Sequence, residues 1–256
     1  MIKLTVLGSG TCIPVPDRGN PGYLIETEGH SILLDCGAGV LRQLAGFGHD
    51  YRDIHHLCLS HLHPDHTIDL VPLLFALRNE YFVDSLHTVD IFAPAGFRQH
   101  LRQLREVYGH WIESDLIEVI VHEISAGGSF ELPFLRMDLG PVEHAENSIA
   151  YRFEDPSGNV LVYSGDTGYS EAFAAFAKGA DLLIIESAVP EGTEYDKHSS
   201  PTEAARMASR AGAKATILTH FYPQVEEAGN IKALARQHYQ GELLLASDGL
   251  TYTLGQ

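Results

Sequence analysis

The sequence predicts an α/β protein arranged as a four-layer α/β/β/α sandwich, two mixed β-sheets with helices flanking their outer faces. Three observations predict it. Short runs rich in β-branched residues or leucine recur along the chain, most of them stopped by Gly, Asp or Pro, which is how strands read. Helical patterns are interspersed among them. The strands come both in sequential hairpins and in alternation with helices, so the sheets are mixed and the helices cover outer faces.

In chain order, the strands fall at 2–7, 23–27, 31–35, 54–60, 88–92, 117–122, 130–139, 149–153, 160–164, 182–186, 215–219 and 242–246. The first is Ile2-Lys3-Leu4-Thr5-Val6-Leu7, stopped by Gly8, and the third ends at Asp35 before Gly37. The run Leu182-Leu183-Ile184-Ile185 is apolar and strand-length. Helices are expected at 40–46, 66–80, 96–109, 170–178, 201–211 and 231–239. The helix at 201 has the clearest start, because Ser200 and Glu203 form an S-x-x-E capping box with Pro201 at the first helical position. A single domain over residues 1–256 is the expectation, since no Ser/Gly linker, low-complexity stretch or repeat divides the chain.

Composition narrows the function. Hydrophobic residues are 45% and charged residues 20%, as in an ordinary packed protein. The apolar runs are strand-length, far short of the roughly 20 residues that span a bilayer, so no membrane association is expected. The chain opens directly on a strand rather than a basic and apolar leader, and its 3 cysteines show no CxxC spacing; both point to a cytoplasmic protein. A formal charge of −17, from 34 acidic and 17 basic residues, disfavours a general nucleic-acid binder. The 15 histidines are the outlier.

Several of these stand in ligand spacing. Cys58-Leu59-Ser60-His61-Leu62-His63-Pro64-Asp65-His66 reads H-x-H-x-D-H where a buried strand hands over to a helix. His61 and His63, two apart on extended chain, project to one side and can share an ion, while Asp65 and His66, past the Pro64 turn, can hold a second. Imidazole and carboxylate ligands without thiolate favour Zn²⁺, although Mn²⁺ and Fe²⁺ accept the same donors. His144, Asp166 and His220 are weaker alone: they also read as a loop histidine, a turn carboxylate in Ser164-Gly165-Asp166-Thr167-Gly168, and a strand-end histidine. All three terminate predicted strands, and in α/β sheets strand ends on one edge converge on one crevice.

In this order the motifs become specific. Leu7-Gly8-Ser9-Gly10-Thr11, Leu34-Asp35-Cys36-Gly37-Ala38-Gly39, the H-x-H-x-D-H run, His144 ahead of Ile149-Ala150-Tyr151-Arg152, Tyr163-Ser164-Gly165-Asp166-Thr167, Ile184-Ile185-Glu186-Ser187-Ala188, His198-Ser199-Ser200 and Leu218-Thr219-His220-Phe221 follow one another nearly end to end. The chain resembles the ribonuclease Z-like branch of the metallo-β-lactamase superfamily, whose sandwich has the layering expected here. The resemblance implies that His61, His63 and His144 hold one zinc, that Asp65, His66 and His220 hold the other, and that Asp166 bridges them. It implies that Asp35, otherwise a plain turn carboxylate, orients a ligand histidine. Glu186 and His198, otherwise a strand-end acid and a polar residue before a helix, match the family's proton-delivering pair. Homodimerisation is a further expectation of the family.

The expected activity is a dinuclear zinc-dependent hydrolase, a phosphodiesterase using metal-activated water, with Asp65 accepting a proton and His198 protonating the leaving group. Ribonuclease Z enzymes carry a long basic arm between the motifs matching His144 and Asp166, whereas only residues 145–165 lie there, with Arg152 their sole basic residue. A small phosphodiester, such as a cyclic nucleotide, is therefore the expected substrate ahead of precursor tRNA. The competing classes are a tRNA 3′-processing endonuclease, a lactonase or thioester hydrolase, and a non-catalytic metal-bound scaffold. Arg78, Arg98, Arg102 and Arg105, in the insertion at 77–116, read as a solvated amphipathic face.

Overall fold

The computed structural model describes residues 1–79 and 86–255. Strands β1 (Ile2–Gly8), β2 (Gly22–Thr27), β3 (His30–Leu34), β4 (Ile54–Cys58), β5 (His87–Pro94) and β6 (Ile117–Ile124) come from the first half. The second half supplies β7 (Ser129–Leu132), β8 (Leu135–Pro141), β9 (Ile149–Glu154), β10 (Val160–Tyr163), β11 (Leu182–Glu186), β12 (Ala215–Thr219), β13 (Glu242–Leu245) and β14 (Thr251–Leu254). They make two seven-stranded sheets, ordered β14-β1-β2-β3-β4-β5-β6 and β13-β12-β11-β10-β9-β8-β7. Each is mixed: β1 pairs antiparallel with β2 and β14, while β3 to β6 run parallel, as do β10 to β13.

The period-two alternation of strand side chains explains the layers. In β1, Ile2, Leu4 and Val6 point into a core shared with Met137, Tyr151, Phe153 and Leu161 of the second sheet. Leu7, Leu24, Leu33, Leu57 and Ile91 point the other way, against Val40 and Leu44 of helix α1 (Val40–Gly46), Leu73 and Leu77, and Phe97 and Leu101. On the far side, the second sheet is covered by Phe173, Ala204 and Met207. Those residues lie on α3 (Leu70–Leu77), α4 (Phe97–Tyr108), α5 (Glu171–Phe176) and α6 (Pro201–Ala211), with α2 (Pro64–Thr67) a single turn before α3. The four-layer α/β/β/α sandwich expected from the sequence is the observed fold.

The differences are local. The run 130–139 is a hairpin rather than one strand: Pro133 and Phe134 turn the chain and Leu132 pairs with Leu135. The expected helix 66–80 is two, broken at Ile68 and Asp69, where the Asp69 N–H leaves the helix to donate to the Cys36 carbonyl and the Asp69 carboxylate accepts the Leu41 N–H. Its last position, residue 80, lies outside the described residues. Helix α7 (Pro223–Glu227), before α8 (Ile231–Arg236), and strand β14 were not expected. The capping box forms: Glu203 N donates to Ser200 Oγ at 3.3 Å and Ser200 N to Glu203 Oε2 at 2.9 Å. In the insertion, Arg98 pairs with Glu123, Arg105 with Glu113, and Arg78 lies over the Trp111 ring.

A candidate dinuclear metal centre at the strand ends

The carboxyl ends of the parallel strands meet at one rim. Leaving β3, the chain passes Asp35; leaving β4, it passes His61 to His66; leaving β10, β11 and β12, it passes Asp166, Glu186 and His220. Two of these backbones are unusual. Asp35 and His220 have φ of 55° and 59°, in the left-handed region that side chains seldom enter, and such strain persists where surrounding structure imposes it. His220 is held there by its N–H on the Ser9 carbonyl at 3.0 Å, and Asp35 by its N–H on the Cys58 carbonyl at 2.8 Å. Gly165, φ 61°, has no alternative residue: a Cβ there would lie 2.6 Å from the Ser60 Cβ.

Asp35 is fully buried and accepts from four donors. Oδ1 takes the Ser60 N–H at 2.7 Å, and Oδ2 takes Ser60 Oγ at 2.8 Å, His66 Nδ1 at 2.7 Å and Tyr163 OH at 2.6 Å. Because the Ser60 hydroxyl donates to Asp35, it accepts from His61 Nδ1 at 3.0 Å. His144 Nδ1 donates to the Lys197 carbonyl at 2.8 Å. In each of these three rings Nδ1 carries the proton, so Nε2 offers a lone pair.

Those lone pairs converge. His61 Nε2 lies 2.9 Å and His144 Nε2 3.2 Å from His63 Nδ1. His66 Nε2 and both ring nitrogens of His220 are buried with no hydrogen-bond partner. Between the two groups stands Asp166: Oδ2 is 3.8 Å from His61 Nε2 and 3.7 Å from His144 Nε2, and Oδ1 is 3.4 Å from both His66 Nε2 and His220 Nε2. Asp65 Oδ2 completes the second group at 3.8 Å from His66 Nε2 and 3.7 Å from His220 Nε2. Nitrogen lone pairs facing one another at 2.9 Å repel unless a cation or proton lies among them, and orphaned buried imidazoles are costly, so the donor set fits divalent metal. The close groups of donors include His61-His63-His144, His61-His66-Asp166 and Asp65-His66-His220.

Electrostatics agree. Burial drives the His61 imidazole well below its usual range, keeping it neutral. Asp166 is held well below the carboxylate range, the cost of burial being outweighed by His220, His66 and His61. His66 is drawn well upward against burial by Asp166 and Asp35. The buried Asp166 carboxylate is therefore a fixed negative charge at the centre of the cluster.

His198 stands beside this cluster, its ring 4.9 Å from that of His144 and 5.7 Å from that of His220. Its Nδ1 donates to Glu186 Oε1 at 2.9 Å, and the same carboxylate accepts the Thr167 and Ser199 N–H groups at 2.5 and 3.2 Å. Burial opposes a charged His198, but the Glu186 hydrogen bond prevails and raises its pKa. All ten residues singled out in the sequence are thus brought together. Sequence reasoning missed Ser60 and the Lys197 carbonyl, which orient His61 and His144, and Tyr163, which bonds Asp35; Ser60 and Tyr163 lie inside the sequence motifs, but the Lys197 carbonyl carried no local signal.

With this fold and cluster, the chain belongs to the β-lactamase superfamily of metallo-hydrolases; the family model described as β-lactamase superfamily domain matches residues 30–221. Among named proteins, it is similar to the probable metallo-hydrolase YhfI of Bacillus subtilis, 30% identical over 98% of this chain and 99% of that one. The crystal structure of YhfI superposes with a TM-score of 0.83 over 98% of each chain, at 28% identity. Ribonuclease Z of Mycobacterium bovis is 29% identical over 97% of this chain and 96% of that protein. Human tRNase Z, short form, shares the fold, with a TM-score of 0.80 at 24% identity over 99% of this chain and 100% of that one.

Proposed function

We propose that the protein is a dinuclear zinc phosphodiesterase acting on small phosphodiesters. The observation that carries this is the Asp166 carboxylate, one oxygen turned to His61 and His144 and the other to His66 and His220. His61, His63 and His144 would hold one zinc, and Asp65, His66 and His220 the other, with Asp166 between them. Zinc held by these residues would supply Lewis acidity, lowering the pKa of water and offsetting charge on the phosphoryl oxygens.

The remaining steps belong to the chain. Asp35 and the Lys197 carbonyl fix ring orientation and tautomer, so ligand nitrogens need not reorganise. Asp65, beside His66 and His220, would accept the proton of the attacking water. His198, anchored through Nδ1 by Glu186 and with its ring beside those of His144 and His220, would protonate the departing alkoxide as a general acid.

Scale of substrate rests on the β9–β10 connection. Where ribonuclease Z enzymes carry their basic arm, the chain turns at once: Asp155 N donates to the Asn159 carbonyl at 3.0 Å and Gly158 N to the Asp155 carbonyl at 2.8 Å. No helix among the described residues is long and apolar enough to cross a membrane. The three free cysteines, two of them buried, suit a reducing cytoplasm. The test is zinc-loaded protein assayed in parallel on bis(p-nitrophenyl) phosphate, 2′,3′-cyclic nucleotides, a lactone panel and precursor tRNA. Turnover of the diesters is expected; cleavage confined to precursor tRNA or to lactones would replace this reading.

A further inference from the structure

Two tyrosines flank His198 and have no part in the chemistry assigned above. The Tyr195 ring lies 5.5 Å from the His198 ring at 36°, and the Tyr222 ring 5.7 Å away at 73°. Tyr195 is 52% exposed although His198 beside it is only 7% exposed, so a large flat surface stays open to solvent at the mouth of a buried catalytic group.

Neither ring is on a loose tether. Tyr195 sits on the segment whose next turn provides the Lys197 carbonyl to His144. The Tyr195 N–H bonds the Thr193 carbonyl at 3.0 Å, and Thr193 Oγ1 bonds the Pro190 carbonyl at 2.7 Å. The same segment lies directly on Gly168, where a Cβ would be 1.9 Å from the Asp196 carbonyl oxygen. Tyr222 opens α7 as its N-cap residue, bonds the Ala188 carbonyl through its N–H at 3.3 Å, and has its hydroxyl 3.7 Å from Cys12 Sγ. Pre-positioned aromatic faces are suited to stacking flat rings, and base–aromatic stacking contributes about 1–3 kcal/mol per base.

We propose that Tyr195 and Tyr222 form the subsite for the leaving-group half of the substrate, and that this half is a nucleoside. The assignment rests on the phosphodiesterase reading, since it is His198 that marks the leaving-group side. A base stacked on these rings places its sugar hydroxyl oxygen beside His198, where the departing alkoxide receives its proton. The tyrosines are specificity-determining residues: they touch the base and leave the phosphoryl group to the metal cluster.

The test compares adenosine 5′-monophosphate with ribose 5-phosphate, the same phosphate with and without its base, by calorimetric titration of the zinc-loaded protein. The wild type should bind the nucleotide about 5- to 150-fold tighter, the range to which stacking of about 1–3 kcal/mol converts. Tyr195→Leu should bring the ratio close to one while ribose 5-phosphate binding stays unchanged, Tyr195→Phe should restore it, and Tyr222→Leu should lower it in part. Equal binding of the two probes by the wild type, failure of both to bind, or a ratio that survives both leucine variants would overturn the subsite. Bis(p-nitrophenyl) phosphate turnover by the same preparation separates the two readings. Turnover with a ratio of one leaves the phosphodiesterase standing without a nucleoside subsite; a high ratio without turnover removes the phosphodiesterase and the leaving-group assignment with it, leaving only a nucleoside-binding site.

Discussion

Replacing Asp35 with asparagine isolates what one buried carboxylate does for the candidate metal centre. Asparagine is the conservative choice because it tolerates the left-handed backbone that Asp35 adopts, so φ need not change. The side-chain shape is kept and only acceptor capacity and charge are lost. Oδ2 faces three donors and Oδ1 faces one, all within 2.8 Å. The amide NH₂ must therefore oppose a donor whichever way it turns, and the less harmful choice sets it against the Ser60 N–H. That leaves buried N–H groups without acceptors, at about 1–3 kcal/mol, and weakens three charge-assisted hydrogen bonds to neutral ones. A total loss of roughly 2–4 kcal/mol corresponds to about 4–16 °C in Tm for a chain of this size. His66 also loses the anion that raises its basicity, so metal affinity should fall by about 10- to 100-fold. Thermal unfolding and chelator-competition titration of the zinc-loaded variant measure the two effects. A variant with wild-type Tm and wild-type affinity would refute the argument that Asp35 positions His66.

Asp166→Ala should lower bound zinc and diester turnover together, whereas His198→Ala should keep the zinc and lower kcat by about 10²- to 10⁴-fold; metal analysis beside steady-state rates separates them. Since the Glu186 hydrogen bond raises the His198 pKa, the acid form persists to higher pH than in free imidazole. The rate should then decline as pH rises through that value, and pH–rate profiles of His198→Ala should lack this alkaline limb. Asp155 has its pKa depressed against burial by the Met1 amine and by Asn159 and Ser157. A depressed carboxylate stabilises above its unfolded pKa of about 3.9 and loses that contribution as pH falls through the folded value. Asp155→Asn should therefore cost about 1–3 kcal/mol at neutral pH in denaturant titrations, and the gap to wild type should close below about pH 4.

The sheets and the donor cluster were legible because their signals are local. Strand alternation, the H-x-H-x-D-H run and the strand-end positions of Asp166 and His220 are all visible within a few residues. What was not legible depends on partners far along the chain. Nothing near Ile68 announces that Asp69 abandons its helix for Cys36 and Leu41. Strand β14 is only four residues and exists because β1 offers a free edge. Tyr163 looks like any strand-end aromatic until the packed sheets bring it onto Asp35, 128 residues away. Helix α7 was missed although Pro223 stands at its first position, a start signal of the kind recognised at Pro201.

The donors are divided between the sheets: the 61–66 segment leaves the first, and His144, Asp166 and His220 leave the second. Neither sheet alone carries a complete set, so the metal centre forms only when their shared interior closes. A ligand that binds only the closed arrangement stabilises it the more tightly it binds, so a divalent metal held by these donors would act as a clasp across the seam. Stripping the metal should then loosen the molecule unevenly. Amide exchange would quicken first along the rim where the halves meet and last at the outer helices, so the cation's reach into the protein extends well past the chemistry it supports.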